Sequence, residues 1–173
     1  MRINLWKLKN LTHRLRGIKQ EVAAVAKLGI RSELRIKVLR ANGAVEDLGL
    51  VSRRIVTTAG LSYVVDAFQG LANISTFVWH DCGLDNTAES ASDVGLLNPY
   101  GGGRVTGAQS EPTAVTYRTT ATITFSAPFT IVEHGLFSNS TGSTLFDRSI
   151  FAGILVVAGD GIIFEYTLTA AGS

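Results

Sequence analysis

One cysteine, Cys82, stands in a chain of 173 residues, so no disulfide can form within it and stability has to come from packing or from partners. Charge is scarce as well, at 17% of residues against 46% apolar ones. On a β-rich chain a surface short of charge points to assembly. No uninterrupted apolar run reaches the ~18 residues that a bilayer-crossing helix needs. The leading stretch MRINLWKLKNLTHRLRGIKQ has neither the apolar centre nor the small-residue cleavage site of a secretory signal. A length of 173 residues suits one domain with an extension.

Acids are missing where bases gather. Residues 1–40 hold eleven of the 16 Lys and Arg but only Glu21 and Glu33 of the 14 acids, a net +9. The rest of the chain sets five bases against twelve acids, a net −7. Such asymmetry marks a segment that meets an acidic partner: nucleic acid, a membrane surface or another protein copy. Within it, Leu8, Leu11, Leu15, Ile18, Val22 and Val25 fall alternately three and four apart. That spacing predicts a helix from about Asn4 to Leu28 with a heptad seam, ended by Gly29 and weakened near its middle by Gly17. A seam so narrow cannot bury itself. Residues 1–31 are therefore expected to form a basic amphipathic arm, with Leu8, Leu11, Leu15 and Ile18 as buried anchors and Arg14, Arg16, Lys19 and Arg31 as the charges facing a partner.

From residue 32 the period of the apolar residues changes to two. Glu33 to Leu39 alternates, and Asn42-Gly43 predicts a type I′ turn into a strand from Ala44 to Val51, with Arg53 to Thr57 continuing extended. Thr58 is placed to cap a short helix from Ala59 to about Leu71 that buries Leu61, Val64, Val65 and Phe68. Ser75 to Cys82 returns to strand. Gly83 to Gly103 is polar and irregular, with Pro99 and three consecutive glycines, and a loop of that length is expected to be functional or ordered by a partner. Strands resume at Arg104–Ser110 and Val115–Phe125. Two alternating runs between Ile123 and Phe151 flank the turn-forming Asn139–Thr144, and the chain closes with Ile154–Val157, the turn Gly159–Gly161 and Ile162–Leu168. The expected fold is mainly β, an antiparallel β-sandwich or barrel-like domain over residues 32–173 with one short helix.

Chemistry-bearing residues are few. His80-Asp81-Cys82 places a base, an acid and a nucleophile together, but in a strand His80 and Cys82 share one face and Asp81 the other, so the three cannot form a relay alone. A small buried Cys beside a hydrogen-bonded His fits better, as does a buried, satisfied histidine at Glu133-His134. Three scattered histidines and one cysteine show no zinc spacing. Asp81, Asp85, Glu89 and Asp93 recur every four residues and allow a weak Ca²⁺ site, without the alternating loop pattern such sites use. Gly101-Gly102-Gly103-Arg104 lacks the Lys-Ser/Thr and following helix of a phosphate cradle and suits a close-contact loop. No catalytic, cofactor-binding or metal residue is expected, and a non-enzymatic role follows.

The run VSRRIVTTAGLSYVVDAF (Val51–Phe68) resembles the strand-then-helix opening of a family of tailed-phage virion proteins. WHDCGLDNTAESASD (Trp79–Asp93), YRTTATITF (Tyr117–Phe125) and EHGLFSNSTGSTLFDRSIF (Glu133–Phe151) are similar to the segments that follow it there. The resemblance covers roughly Leu50 to Thr169 and not the arm; where members often carry a Gly-Thr-Gly-like turn, this chain has Leu84-Asp85-Asn86. It implies a structural component of a phage particle, made in the host cytoplasm and located in the virion. The expected role is a capsid decoration or cement protein, a dimer or trimer bound to the major capsid protein through its arm. The alternative is a tail, baseplate or fibre-attachment protein whose heptads make a trimeric stalk. A nucleic-acid module using the arm is disfavoured by the acidic body and the apolar seam. A membrane helix is disfavoured by the seam's narrowness, and no small-molecule substrate is expected.

Overall fold

Strict alternation builds the first strand: Ser32, Leu34, Ile36 and Val38 are buried while Arg31, Arg35 and Lys37 face solvent. In the computed structural model, which describes residues 28–53 and 56–172, this strand is β1 (Leu28–Leu39). It is followed by β2 (Val45–Ser52), α1 (Thr58–Phe68), a 3₁₀ turn (Ile74–Thr76), β3 (Trp79–Gly83), β4 (Val105–Thr106), β5 (Ala108–Thr113) and β6 (Thr116–Thr124). The chain ends with β7 (Phe129–Phe137), β8 (Leu145–Val156) and β9 (Gly161–Gly172). Two antiparallel sheets result, in the orders β2-β1-β9-β6-β5 and β4-β3-β7-β8. The fold is mainly β with one short α-helix, as the periodicity predicts.

Between the sheets of the unit Ile30–Ala170 lies one shared core. Leu34, Ile36 and Val38 of β1, Ile123 of β6, and Ile162, Phe164 and Tyr166 of β9 come from the five-stranded sheet. Cys82, Ile131, Leu136, Phe146, Ile154 and Val156 come from the other. β6 and β9 pair without a slip from Thr116↔Thr169 to Thr124↔Gly161, which keeps Ala121 and Ile123 opposite Phe164 and Ile162 on the inner face. β7 and β8 pair with two bulges, after Ile131 and after Leu136. From Glu133 to Phe137 every residue of β7 is buried, on both faces of the sheet. The outer cover there is the 84–103 segment, whose Leu96 approaches Gly135 closely enough that a Cβ on the glycine would stand 2.9 Å from it.

Several local expectations are corrected. The strand takes in Leu28 to Arg31, so Gly29 ends no helix at that point and Arg31 is an exposed strand residue rather than part of a helical arm. Leu8, Leu11, Arg14, Leu15, Arg16, Ile18 and Lys19 lie outside the described residues. The loop between β1 and β2 is five residues long, Arg40 to Ala44, not a two-residue type I′ turn: only Gly43 takes a positive φ (86°), and Asn42 Oδ1 accepts from the Ala44 N–H instead. β2 stops at Ser52, and Val56 makes only an isolated bridge to Asp147. Phe77 precedes its strand, following the 3₁₀ turn.

The helix is capped one residue earlier than predicted. Thr57 Oγ1 accepts from the Gly60 N–H at 2.9 Å and donates to the Leu145 carbonyl at 2.6 Å, which ties the helix start to β8. Leu61, Val65 and Phe68, expected inside, are exposed, while Gly60 is buried against Phe146 and Tyr63 and Val64 are half-buried on the core. A Cβ at Gly60 would meet the Phe146 carbonyl oxygen at 2.7 Å and its Cα at 2.9 Å, both backbone atoms that cannot swing aside. Gly60→Ala is therefore expected to lose about 1–3 kcal/mol by overpacking despite its better helix propensity, read as a lowered midpoint in urea unfolding.

Candidate functional site

The polar residues of β3, β7 and β8 are drawn inward because both faces of their sheet are covered. β3 pairs with β7 in the register Cys82↔His134 and His80↔Leu136, so the two histidines are diagonal neighbours. His80 Nδ1 lies 2.9 Å from His134 Nε2, and His80 Nε2 lies 3.1 Å from Thr119 Oγ1 of the opposite sheet. His134 stacks on Phe164 with ring centroids 4.7 Å apart, and its Nδ1 is buried without a partner. A bare acceptor nitrogen is cheaper to bury than a bare N–H, so the favoured tautomer puts each proton on Nε2: His134 donates to His80, and His80 to Thr119. Burial lowers the His80 pKa to about 3, and burial reinforced by His80 holds His134 well below the usual range. Both rings are neutral at pH 7.

This arrangement spends His80 on His134 and Thr119 and leaves none of its ring nitrogens for Cys82. Burial first, with Asp81 and Glu133 adding, pushes the Cys82 thiol far above its ordinary value, so it is not a thiolate nucleophile. Asp81 turns away, accepting the Cys82 backbone N–H at 2.9 Å and standing 3.9 Å from Arg104. Arg104 lies 3.5 Å above the Phe137 ring and donates to the Asn139 carbonyl and Ser143 Oγ, which closes the 138–144 turn onto β4. The sequence expectation of a small buried Cys beside a hydrogen-bonded His matches this geometry.

The acidic series found at four-residue spacing does not converge on an empty cradle. Two of its members, Asp85 and Asp93, join Glu133 around a guanidinium. Arg148 of β8 is 1% exposed, and its Nε donates to Glu133 Oε2 at 2.8 Å. Its Nη1 donates to Asp93 Oδ2 and to the Thr87 carbonyl, both at 3.1 Å, and its Nη2 stands 3.7 Å from Asp85 Oδ1. Glu133 also accepts the backbone N–H of Asn98 at 3.1 Å, and Glu89 accepts that of Ile150 at 3.1 Å. Asp81 belongs to the Arg104 pair instead. The cation of this site is supplied by the chain, and among the described residues no group of three or more His, Cys, Asp or Glu is disposed to hold a metal. The long loop is thus tied to its own sheet, β7 and β8.

A third buried group spans the sheets. Asp147 of β8 accepts from Ser32 at 2.7 Å, Ser149 at 3.0 Å and Tyr166 at 3.3 Å. Burial raises its pKa to about 6 against those hydrogen bonds.

One outward-facing stretch is apolar. Leu61, Val65, Phe68, Leu71 and Ile74 are exposed along and after α1, and beside them a groove of about 420 Å³ opens between the 3₁₀ turn and β5. β5 itself, an edge strand, is exposed along its whole length. No described helix is long and apolar enough to cross a membrane. Compared with known proteins, the chain matches no family model, no curated protein and no solved structure.

Proposed function

We propose that the chain is a structural virion protein, a capsid decoration or cement protein of a tailed phage, which binds the assembled shell and stabilises it. The observation that carries this reading is the partition of charge, +9 in residues 1–40 against −7 in the rest. It is supported by a body whose buried histidines, carboxylates and arginine are spent on one another, so that what it offers other molecules is surface. A protein that binds only the assembled shell stabilises it by mass action, in proportion to occupancy. A lasting contact needs on the order of 1,000 Å², which a separate arm supplies at little cost to the body's own packing. Leu8, Leu11, Leu15 and Ile18 would be its anchors, and Arg14, Arg16 and Lys19 its complement to an acidic shell surface, with the exposed Arg31 of β1 adding to that charge.

Co-sedimentation of the full-length protein with phage shells stripped of their decoration tests this. Replacing Arg14, Arg16 and Lys19 by Ser is expected to weaken retention about tenfold near 0.1 M salt, with the difference shrinking towards 1 M as the charges are screened. Retention that is unaffected by those changes, or no binding to shells at all, contradicts the reading. The heptad spacing of the arm favours a second reading, a trimeric stalk in the tail or baseplate, which predicts binding to tails and none to shells.

A further inference from the structure

We propose that the outer face of α1 and the groove beside it form a self-complementary surface that joins two copies of this chain. The proposal rests on the reading of the protein as a self-associating building block and names the surface by which it pairs.

The helix is apolar on two sides. Its inner side packs on the core, with Tyr63 meeting Phe77 edge to face at 4.7 Å. Its outer side presents Leu61, Val65 and Phe68 at helical spacing, 44%, 56% and 82% exposed, and the chain extends the stripe with Leu71 at 74% and Ile74 at 46%. Together they offer roughly 500 Å² of apolar surface, a contiguous patch of the size that marks an interaction site. Ile74 is also the lip of the groove, which is walled by Phe77, Tyr117 and Leu168 over Phe146 and Tyr166.

The two tyrosine hydroxyls and the Gln109 amide N–H of that groove are already partnered. Tyr117 donates to the Phe77 carbonyl at 2.7 Å, Gln109 Nε2 to the Ser75 carbonyl at 2.9 Å, and Tyr166 to Asp147 at 3.3 Å. Apart from Gln109, Ser110 and Glu111 on the β5 side the wall is apolar or aromatic, so the fitting occupant is an apolar side chain. Such side chains stand next to the groove on the same molecule. Phe68 and Leu71 project a few residues before the chain reaches the lip at Ile74, so a two-fold axis between them seats each copy's Phe68 in the other's groove. Stripe and groove together give each side roughly 600 Å², the low end of a standard interface. The charged residues of the helix and the groove lining, Asp66 and Glu111, are both acidic. Between two like faces they repel, so this contact is held by apolar burial and tightens as salt rises, whereas a basic partner on the same face would loosen.

Sedimentation velocity of the full chain at low and high salt tests the pairing. The expected result is a species built from dimers whose dissociation constant falls as salt is raised. Phe68→Glu is expected to raise that constant about thirtyfold, as loss of a central aromatic anchor does. Phe68→Leu should change it less than about fivefold, and Val45→Glu, at another exposed apolar position on β2, should leave it as it is. Because the Phe68 side chain is mostly in solvent, the Glu variant should melt with the parent, which shows that it folds. Association unchanged in both Phe68→Glu and Leu71→Glu, a monomer at every salt and concentration, or association that weakens with salt overturns the proposal. Any of these leaves shell binding to be read separately, while pairing as expected in a protein that ignores shells would sink the virion reading alone.

Discussion

Arg148→Met is expected to destabilise the folded unit by about 3–5 kcal/mol, the range for breaking a buried ion pair from one side. The melting temperature should fall by roughly 10 °C. The size of the effect comes from what is left behind. Glu133 is fully buried and would be left with only backbone N–H donors for company, while Asp85 and Asp93 lose the group that holds the 84–103 loop against β7 and β8. Two further results should accompany the loss. Limited proteolysis should cut within residues 84–103 faster than in the parent. Arg148→Met combined with Glu133→Gln should recover part of the stability, because the orphaned charge is gone. A melting temperature within about 2 °C of the parent would mean that the ion cluster does not hold this loop.

The second large effect is loss of stability in acid. A histidine kept neutral by folding counts against the folded state once the unfolded chain can take the proton, so the loss begins below the unfolded pKa of about 6.5 and grows until the folded pKa is reached. His80 does not titrate in the folded protein until about pH 3, and His134 is held low by the same burial. At pH 4.5 each ring that stays neutral costs roughly 2–3 kcal/mol relative to pH 7. Asp147 works in the other direction. Its folded pKa of about 6 exceeds the unfolded 3.8, so the folded state gains as pH falls through 6, by about 2 kcal/mol at pH 4.5. The net loss is about 3 kcal/mol, seen as a drop in denaturation midpoint between pH 7 and pH 4.5. His134→Phe, which keeps a ring against Phe164, should remove about half of the histidine contribution; an equally steep acid loss in that variant would contradict the assignment.

How much of this was legible depended on whether an element had one solvated face. β1 alternates cleanly because Arg31, Arg35 and Lys37 stand in water opposite Leu34, Ile36 and Val38, and it could be read directly. β7 and β8 could be recognised as strands, but their bulges and their second cover hid which residues lie inside; Glu133, Arg148 and Asp147 are all buried. A signal was present: an Asp-Arg pair inside the apolar run LFDRSIF cannot be buried without partners, and the nearby loop is rich in acids. Spacing alone made those acids look like ligands for an external cation. On α1, apolar residues occupy both sides of the helix, so periodicity could not say whether Tyr63 and Val64 or Leu61, Val65 and Phe68 faced the core. The contact between His80 and His134 spans 54 residues and follows only from the register of β3 against β7. No local pattern carries it.

The central claim is that this chain acts as a part of a larger assembly. Counting its copies in purified phage particles by quantitative mass spectrometry, relative to the major shell protein, tests that most directly. The account predicts near-parity with the shell subunit, and absence from the particle would contradict it.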